Sequence, residues 1–182
     1  MNKIYLLLLT LPIFLQANNW QPIHWAVYNG DISKIKRMVA HNTSLLDSRT
    51  DGGLTPLHIA VKKRDLKMIE FLLKNGADID SQDNQGRTPL HYAVSQRKID
   101  IVKYLILNGA DIEIQNSHGV RPIHQAAYSG NLEAIKFLIS AGAKPFPKTN
   151  SGSTPWEIAI AKGNFAVADF FLYFRKKLQN HK

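Results

Sequence analysis

A short motif returns along this chain at a fixed spacing, and that spacing leaves few folds open. Thr55-Pro56-Leu57-His58-Ile59-Ala60 comes back as Thr88-Pro89-Leu90-His91-Tyr92-Ala93 and as Arg121-Pro122-Ile123-His124-Gln125-Ala126. It returns once more, altered, as Thr154-Pro155-Trp156-Glu157-Ile158-Ala159, and these copies start 33 residues apart. An earlier copy, Gln21-Pro22-Ile23-His24-Trp25-Ala26, lies 34 residues upstream of the first. Gly53, Gly86, Gly119 and Gly152 precede four copies at one offset, and Gly76-Ala77-Asp78, Gly109-Ala110-Asp111 and Gly142-Ala143-Lys144 follow on the same period. Periodicity of this length is the signature of stacked supersecondary units. A unit of this size cannot bury its apolar face alone, so only a stack is stable.

Each copy carries its own helix signals. A threonine such as Thr55 or Thr88 can cap a helix whose first residue is proline, where the missing N–H costs nothing. Small Ala60, Ala93, Ala126 and Ala159 allow close approach of neighbouring helices. A second helix follows with apolar residues at helical spacing: Leu66, Ile69, Leu72 and Leu73, then Ile99, Val102, Leu105 and Ile106, then Leu132, Ile135, Leu138 and Ile139. Gly76, Gly109 and Gly142 end these helices.

The pattern resembles the ankyrin repeat over essentially all of residues 18–175. The resemblance implies an all-α solenoid of helix–turn–helix units with β-turn fingers. Five units are expected over about 18–49, 50–82, 83–115, 116–148 and 149–178, within a repeat domain spanning 18–178 and followed by a short tail, 179–182. The departures have their own expectations. Repeat 1 has an extra residue and no Gly-Ala-Asp turn, so a looser loop is expected over 41–49. Repeat 4 has Arg121 for the cap threonine and Lys144-Pro145-Phe146-Pro147 after its second helix, so an irregular connection is expected there.

The first residues read as an address. Lys3 is followed by an apolar run from Ile4 to Leu15, then Gln16-Ala17 and polar Asn18-Asn19. That order is the one found in a secretory signal peptide of bacterial type, residues 1–17, with Ala17 the expected cleavage point. The apolar run is shorter than the ~20 residues a membrane-spanning helix needs. An exported chain is expected, in the periplasm first and fully secreted as the alternative.

Catalytic chemistry finds no foothold. The chain has no Cys, which excludes thiol nucleophiles and thiolate metal sites. There is no Gly-x-Ser-x-Gly elbow, phosphate-cradling glycine loop or paired-carboxylate pattern. His24, His58, His91 and His124 recur with the repeat, and stacked units would hold equivalent residues ~10 Å apart, too far to share one metal ion. The family resemblance gives these four a structural role. No enzyme, cofactor or metal is expected. Phe71, Tyr104, Phe137 and Phe170, also on the repeat, fall among apolar second-helix residues and are expected to pack.

The formal charge of +9 leaves nucleic acid, an anionic membrane or an acidic protein open as partners. The leader holds one cation and residues 175–182 hold four, so only +4 remains between them. Nucleic acid is not expected. The resemblance implies a protein partner, one of acidic character suiting the charge, held by a monomer on a concave face of finger tips and first helices. Copy by copy, that surface falls on Asp51, Leu54, Gln85, Arg87 and His118 at the fingers and Tyr28, Asn29, Lys62, Lys63, Gln96, Tyr128 and Lys162 on the helices. Tyr28, Arg87 and Tyr128 are the expected anchors, because Tyr and Arg dominate binding hot spots. Protection or inhibition of an exported enzyme or toxin would fit such a module. The alternatives are a secreted effector recruiting host proteins and a membrane-surface adaptor using the run Phe170–Phe174 with Arg175-Lys176-Lys177.

Overall fold

A computed structural model describes residues 20–180 of the chain. The expected leader, residues 1–17, lies outside the described residues. Among those residues there are ten α-helices, one 3-10 helix and no strand. The chain divides into two compact units, one up to Asp78 and one from Ile79 onward.

The first unit holds two repeats. Helices α1 (Pro22–Tyr28) and α2 (Ile32–His41) form the first pair, and α3 (Pro56–Lys63) and α4 (Leu66–Lys74) the second. Helix α1 packs on α3 as well as on its own partner α2. The core is built where these faces meet, from Ile23, Ile35, Leu57, Met68, Ile69 and Leu72, all fully buried. Each such side chain contributes roughly 1.5–3 kcal/mol through its burial.

The second unit holds three pairs: α5 (Pro89–Ser95) with α6 (Ile99–Leu107), α7 (Pro122–Ser129) with α8 (Leu132–Ser140), and α9 (Pro155–Ala161) with α10 (Phe165–Gln179). First helices pack on first helices, α5 on α7 and α7 on α9, while α8 touches both α6 and α10. Ala93, Ala126 and Ala159 are completely buried, which is the close approach their size permits.

The local reasons for these elements recur. Proline stands at the start of all five first helices. Thr55 caps α3, its side chain accepting the His58 backbone N–H, and Thr154 does the same for Glu157. The reversal between the two helices of a pair needs a left-handed residue. Gly30, Gly130 and Gly163 supply it with φ of 71°, 67° and 71°, and Arg64 and Arg97 take the same place at 61° and 58°. An L-residue pays roughly 1–2 kcal/mol for that conformation, so the two arginines are held there by their repeats. Asp31, Asp65 and Asn131, one residue further on, then cap the second helices by accepting the N–H three residues ahead.

One expectation needs correcting. Residues 41–49 of repeat 1 do not form a loose loop, because Thr43–Asp47 is a 3-10 helix. The side chain of Asn42 accepts both the N–H and the hydroxyl of Ser44, at 3.0 and 2.7 Å, and Leu46 is buried beneath. The connection after repeat 4 is irregular but anchored. Phe146 packs 5.8 Å from Phe171, and the Lys144 N–H donates to Glu113 Oε1 at 2.8 Å. The same Glu113 pairs with Arg121 at 3.0 Å, which accounts for an arginine in place of the cap threonine.

Candidate protein-interaction surface

The fingers are tight turns closed by one polar side chain each. In the first unit, Thr50 Oγ1 accepts the Leu54 N–H at 3.1 Å while the Thr50 N–H donates to the Leu54 carbonyl at 3.0 Å. In the second unit, Asp83, Asn116 and Thr149 stand in the same place. Asp83 Oδ1 accepts from Gln85 N–H and Arg87 N–H, and Asn116 Oδ1 from His118 N–H and Val120 N–H. Neighbouring fingers of this unit are then bonded to one another. Ser117 N–H donates to the Gln85 carbonyl at 2.9 Å, and Asn150 N–H to the His118 carbonyl at 3.1 Å. The backbones of Gln85 and His118 are thus fixed while their side chains stay exposed.

The motif histidines hold the first helices to the following connections. The Nδ1 atoms of His24, His58, His91 and His124 accept the backbone N–H of Gln21, Thr55, Thr88 and Arg121. With Nδ1 an acceptor, the proton sits on Nε2, which donates at 3.0 Å to the carbonyls of Ser48, Val120 and Pro147 from His24, His91 and His124 respectively. Burial holds all three below the ordinary imidazole value of 6.5, against the opposing pull of those carbonyls. As pH falls below 6.5 the unfolded chain takes up protons first, so stability is full above that value and declines beneath it until the folded histidines also protonate. Thermal melts should show a falling Tm between about pH 6.5 and 5, with the unfolded state binding up to three extra protons. A flat Tm across that range would contradict the assignment.

Asp83 anchors a second network. Its carboxylate is fully buried and takes the Arg87 guanidinium at 2.8 Å and the Tyr92 hydroxyl at 2.7 Å. Burial alone would raise its pKa, but the hydrogen bonds from Arg87, Tyr92 and Gln85 outweigh it and hold the group below the usual carboxylate value. Burial, and then the Asp83 carboxylate, push the Tyr92 phenol well above its usual range. The Arg87 guanidinium also lies 4.7 Å from the Tyr92 ring centre. Arg87 is therefore a half-buried residue with its charge fixed in place.

The tyrosines are differently dressed. Tyr28 is the last residue of α1 and Tyr128 lies one residue from the end of α7, and they are 45% and 53% exposed. The Lys63 ammonium sits 4.0 Å from the Tyr28 ring centre, and the Lys162 ammonium 4.4 Å from that of Tyr128. The geometry is the same in both units: a first-helix tyrosine, and a lysine one position further along in the next repeat. Each contact is worth about 0.5–1 kcal/mol at an exposed site, enough to bias a rotamer.

Four of the sequence-derived residues, Tyr28, Leu54, Lys62 and Lys63, meet at one recess of about 280 Å³ together with Trp20 and Ile59. Trp20 was not foreseen. Its ring centre lies 4.7 Å from that of Trp25, the planes tilted by 47°, and it meets Tyr28 edge-on at 5.7 Å, which stiffens the wall. Asp51 is exposed at the finger tip of this unit and Asn29 just beyond the end of α1. In the second unit Gln96 is half-buried beyond the end of α5, and Lys162 is exposed beyond the end of α9. Asp83 and Tyr92 were also outside the expected surface. Only Asp83's register with Thr50, Asn116 and Thr149 marks it in the sequence. Among the described residues no group of three His, Asp or Glu is placed to hold a metal ion.

Helix pairs in register, fingers held by one side chain and a buried histidine tying four of the five caps define an ankyrin-repeat protein. A family model described as Ankyrin repeats (3 copies) matches residues 3–83, 23–116 and 98–180. The chain belongs to the ankyrin repeat family, and it is a protein-interaction module of that class. Part of it is similar to delta-latroinsectotoxin-Lt1a of Latrodectus tredecimguttatus, 35% identical over 63 residues. That stretch is 35% of this chain and 5% of the toxin's length.

Proposed function

We propose that this chain is an exported, non-enzymatic binding protein that holds one protein partner by surface complementarity, on the finger tips and first-helix ends of its two units. The observation that carries the reading is the recurring tyrosine–lysine pair, Tyr28 with Lys63 and Tyr128 with Lys162. Exposed tyrosine rings whose rotamers are already biased lose less entropy on binding, and aromatic rings with few rotatable bonds are what hot spots favour. Lysines beside them, and Lys62 in the recess of the first unit, draw an acidic partner and raise its rate of encounter. Export rests on the order of the first 17 residues, and a periplasmic location with protection or inhibition of an exported enzyme or toxin is the role that fits both.

The mature protein recovered from its own compartment should bring a single partner with it. Changing Tyr28 and Tyr128 together to alanine should weaken that capture by about a hundred-fold or more, with helicity unchanged; Arg87 is left in place because it neutralises buried Asp83. Undiminished capture would sink the placement. Recovery from the growth medium alone would favour a secreted effector over a periplasmic protein.

A further inference from the structure

The last helix does not behave like its counterparts. The second helices α4, α6 and α8 have nine residues each, whereas α10 has fifteen. The additional six extend it by about 9 Å. The Gly-Ala turn that ends the others is absent, and the helix runs on through Phe174-Arg175-Lys176-Lys177-Leu178-Gln179. Val167, Ala168 and Phe171 face the core. Away from that core face large apolar residues stand in water: Phe165 is 68%, Leu172 41% and Tyr173 66% exposed, with exposed Asp169 between Phe165 and Tyr173. Spacings of seven, eight and eleven residues from Phe165 bring Leu172, Tyr173 and Lys176 onto one side of the helix. Leu178, 47% exposed, lies on the added turn.

Charge separates this face from an ordinary helix end. No acidic residue follows Asp169, while Arg175, Lys176, Lys177 and Lys182 all do. Cations interleaved with aromatic and aliphatic side chains suit the boundary of an anionic bilayer. Rings enter the headgroup region there, and long cationic side chains reach outward to the phosphates. An acidic protein would answer the cations but has no general need of exposed Phe165, Leu172 and Tyr173 beside them, and the one carboxylate on this face, Asp169, is outnumbered by the three cations Arg175, Lys176 and Lys177. No helix among the described residues is long and apolar enough to cross a membrane, so contact would be in the plane of the surface.

We infer that α10 is a docking element for an anionic lipid surface, with Phe165, Leu172 and Tyr173 inserting and Arg175, Lys176 and Lys177 binding headgroups. This inference does not depend on the proposed partner surface.

The absence of cysteine makes the test site-specific. In the full chain, Tyr173→Cys carrying an environment-sensitive fluorophore reports on α10 itself, whatever the apolar residues near the start of the chain do. A label at Ser151→Cys, on an exposed finger of the same unit, is the control. Phosphatidylglycerol vesicles should shift the 173 label toward the blue and leave the 151 label unchanged. Phosphatidylcholine vesicles should shift neither. The 173 response should fall about ten-fold or more when Arg175, Lys176 and Lys177 are all changed to Glu, and should weaken with added salt. Circular dichroism checks that the reversed variant still folds. An equal response to neutral vesicles, a response at both labels, or no response at 173 would each overturn the inference. So would an acidic polypeptide that shifts the 173 label as far as the vesicles do, because the occupant would then be a protein.

Discussion

Replacing Asp83 with alanine should lower folding stability by about 2–4 kcal/mol, a large share of what a domain of this size possesses. The change removes one side chain, but the cost comes from what it strands. The Tyr92 hydroxyl and two finger N–H groups lose their acceptor, and the Arg87 guanidinium loses its counter-charge. Removing one partner of a buried ion pair costs more than the pair contributes, because the other partner remains desolvated. The Arg87 side chain keeps 37% exposure and can turn to water, so the cost falls below that of a fully enclosed pair. Asp83→Asn should lie between, since an amide oxygen still accepts the finger N–H groups. Urea unfolding monitored by circular dichroism measures both. A loss for Asp83→Ala below about 1 kcal/mol would show that the network is decorative. The consequence reaches the binding surface, because Arg87 is held in its finger by this carboxylate.

Gly119→Ala should cost about as much for a different reason. Gly119 has φ of +72°, and a Cβ there would stand 2.6 Å from the Asn150 backbone nitrogen of the next finger. A left-handed alanine alone costs roughly 1–2 kcal/mol, and the clash with backbone should bring the total to about 2–4. Gly152 separates the two effects. Its φ is +85° and nothing lies within 4 Å of the added carbon, so Gly152→Ala should show only the conformational part. Equal losses at the two glycines, read from the same unfolding curves, would mean that finger-to-finger packing contributes nothing. The expected difference ties stability to the bonds that join the Gln85, Ser117, His118 and Asn150 backbones, and hence to the rigidity of the surface.

How much of this could be read from the residues depends on the range of the interactions. The helix starts were legible because cap, proline and apolar spacing act within a few residues. The left-handed turns at Arg64 and Arg97 carry their sequence signal in their register with Gly30, Gly130 and Gly163. Repeat 1 misled for a local reason. The missing Gly-Ala-Asp turn suggested looseness, yet Asn42 caps a 3-10 helix and Leu46 pins it to the core. The candidate surface was legible as a set of positions but not as an arrangement. Tyr28 and Lys63 are 35 residues apart and Tyr128 and Lys162 are 34 apart, so each pair exists only after one repeat is laid on the next. Trp20 had a signal in its register, since it precedes the first motif as Leu54 and Arg87 precede theirs, but it stands ahead of any finger glycine and so reads as lying outside the repeat. Asp83 was hidden by its type: an aspartate in a turn reads as solvated, and only burial beside Arg87 and Tyr92 gives it its role.

The central claim is that a protein partner is held on the finger and first-helix faces, with the second helices taking no part. Amide hydrogen exchange of the mature chain, free and in complex with the partner it captures, tests this most directly. The account predicts added protection in the fingers around Asp51, Gln85 and His118 and at the helix ends around Tyr28, Lys63, Tyr128 and Lys162. The second helices α2, α4, α6 and α8 should exchange as they do in the free protein. Protection confined to those second helices, with the fingers unchanged, would contradict it.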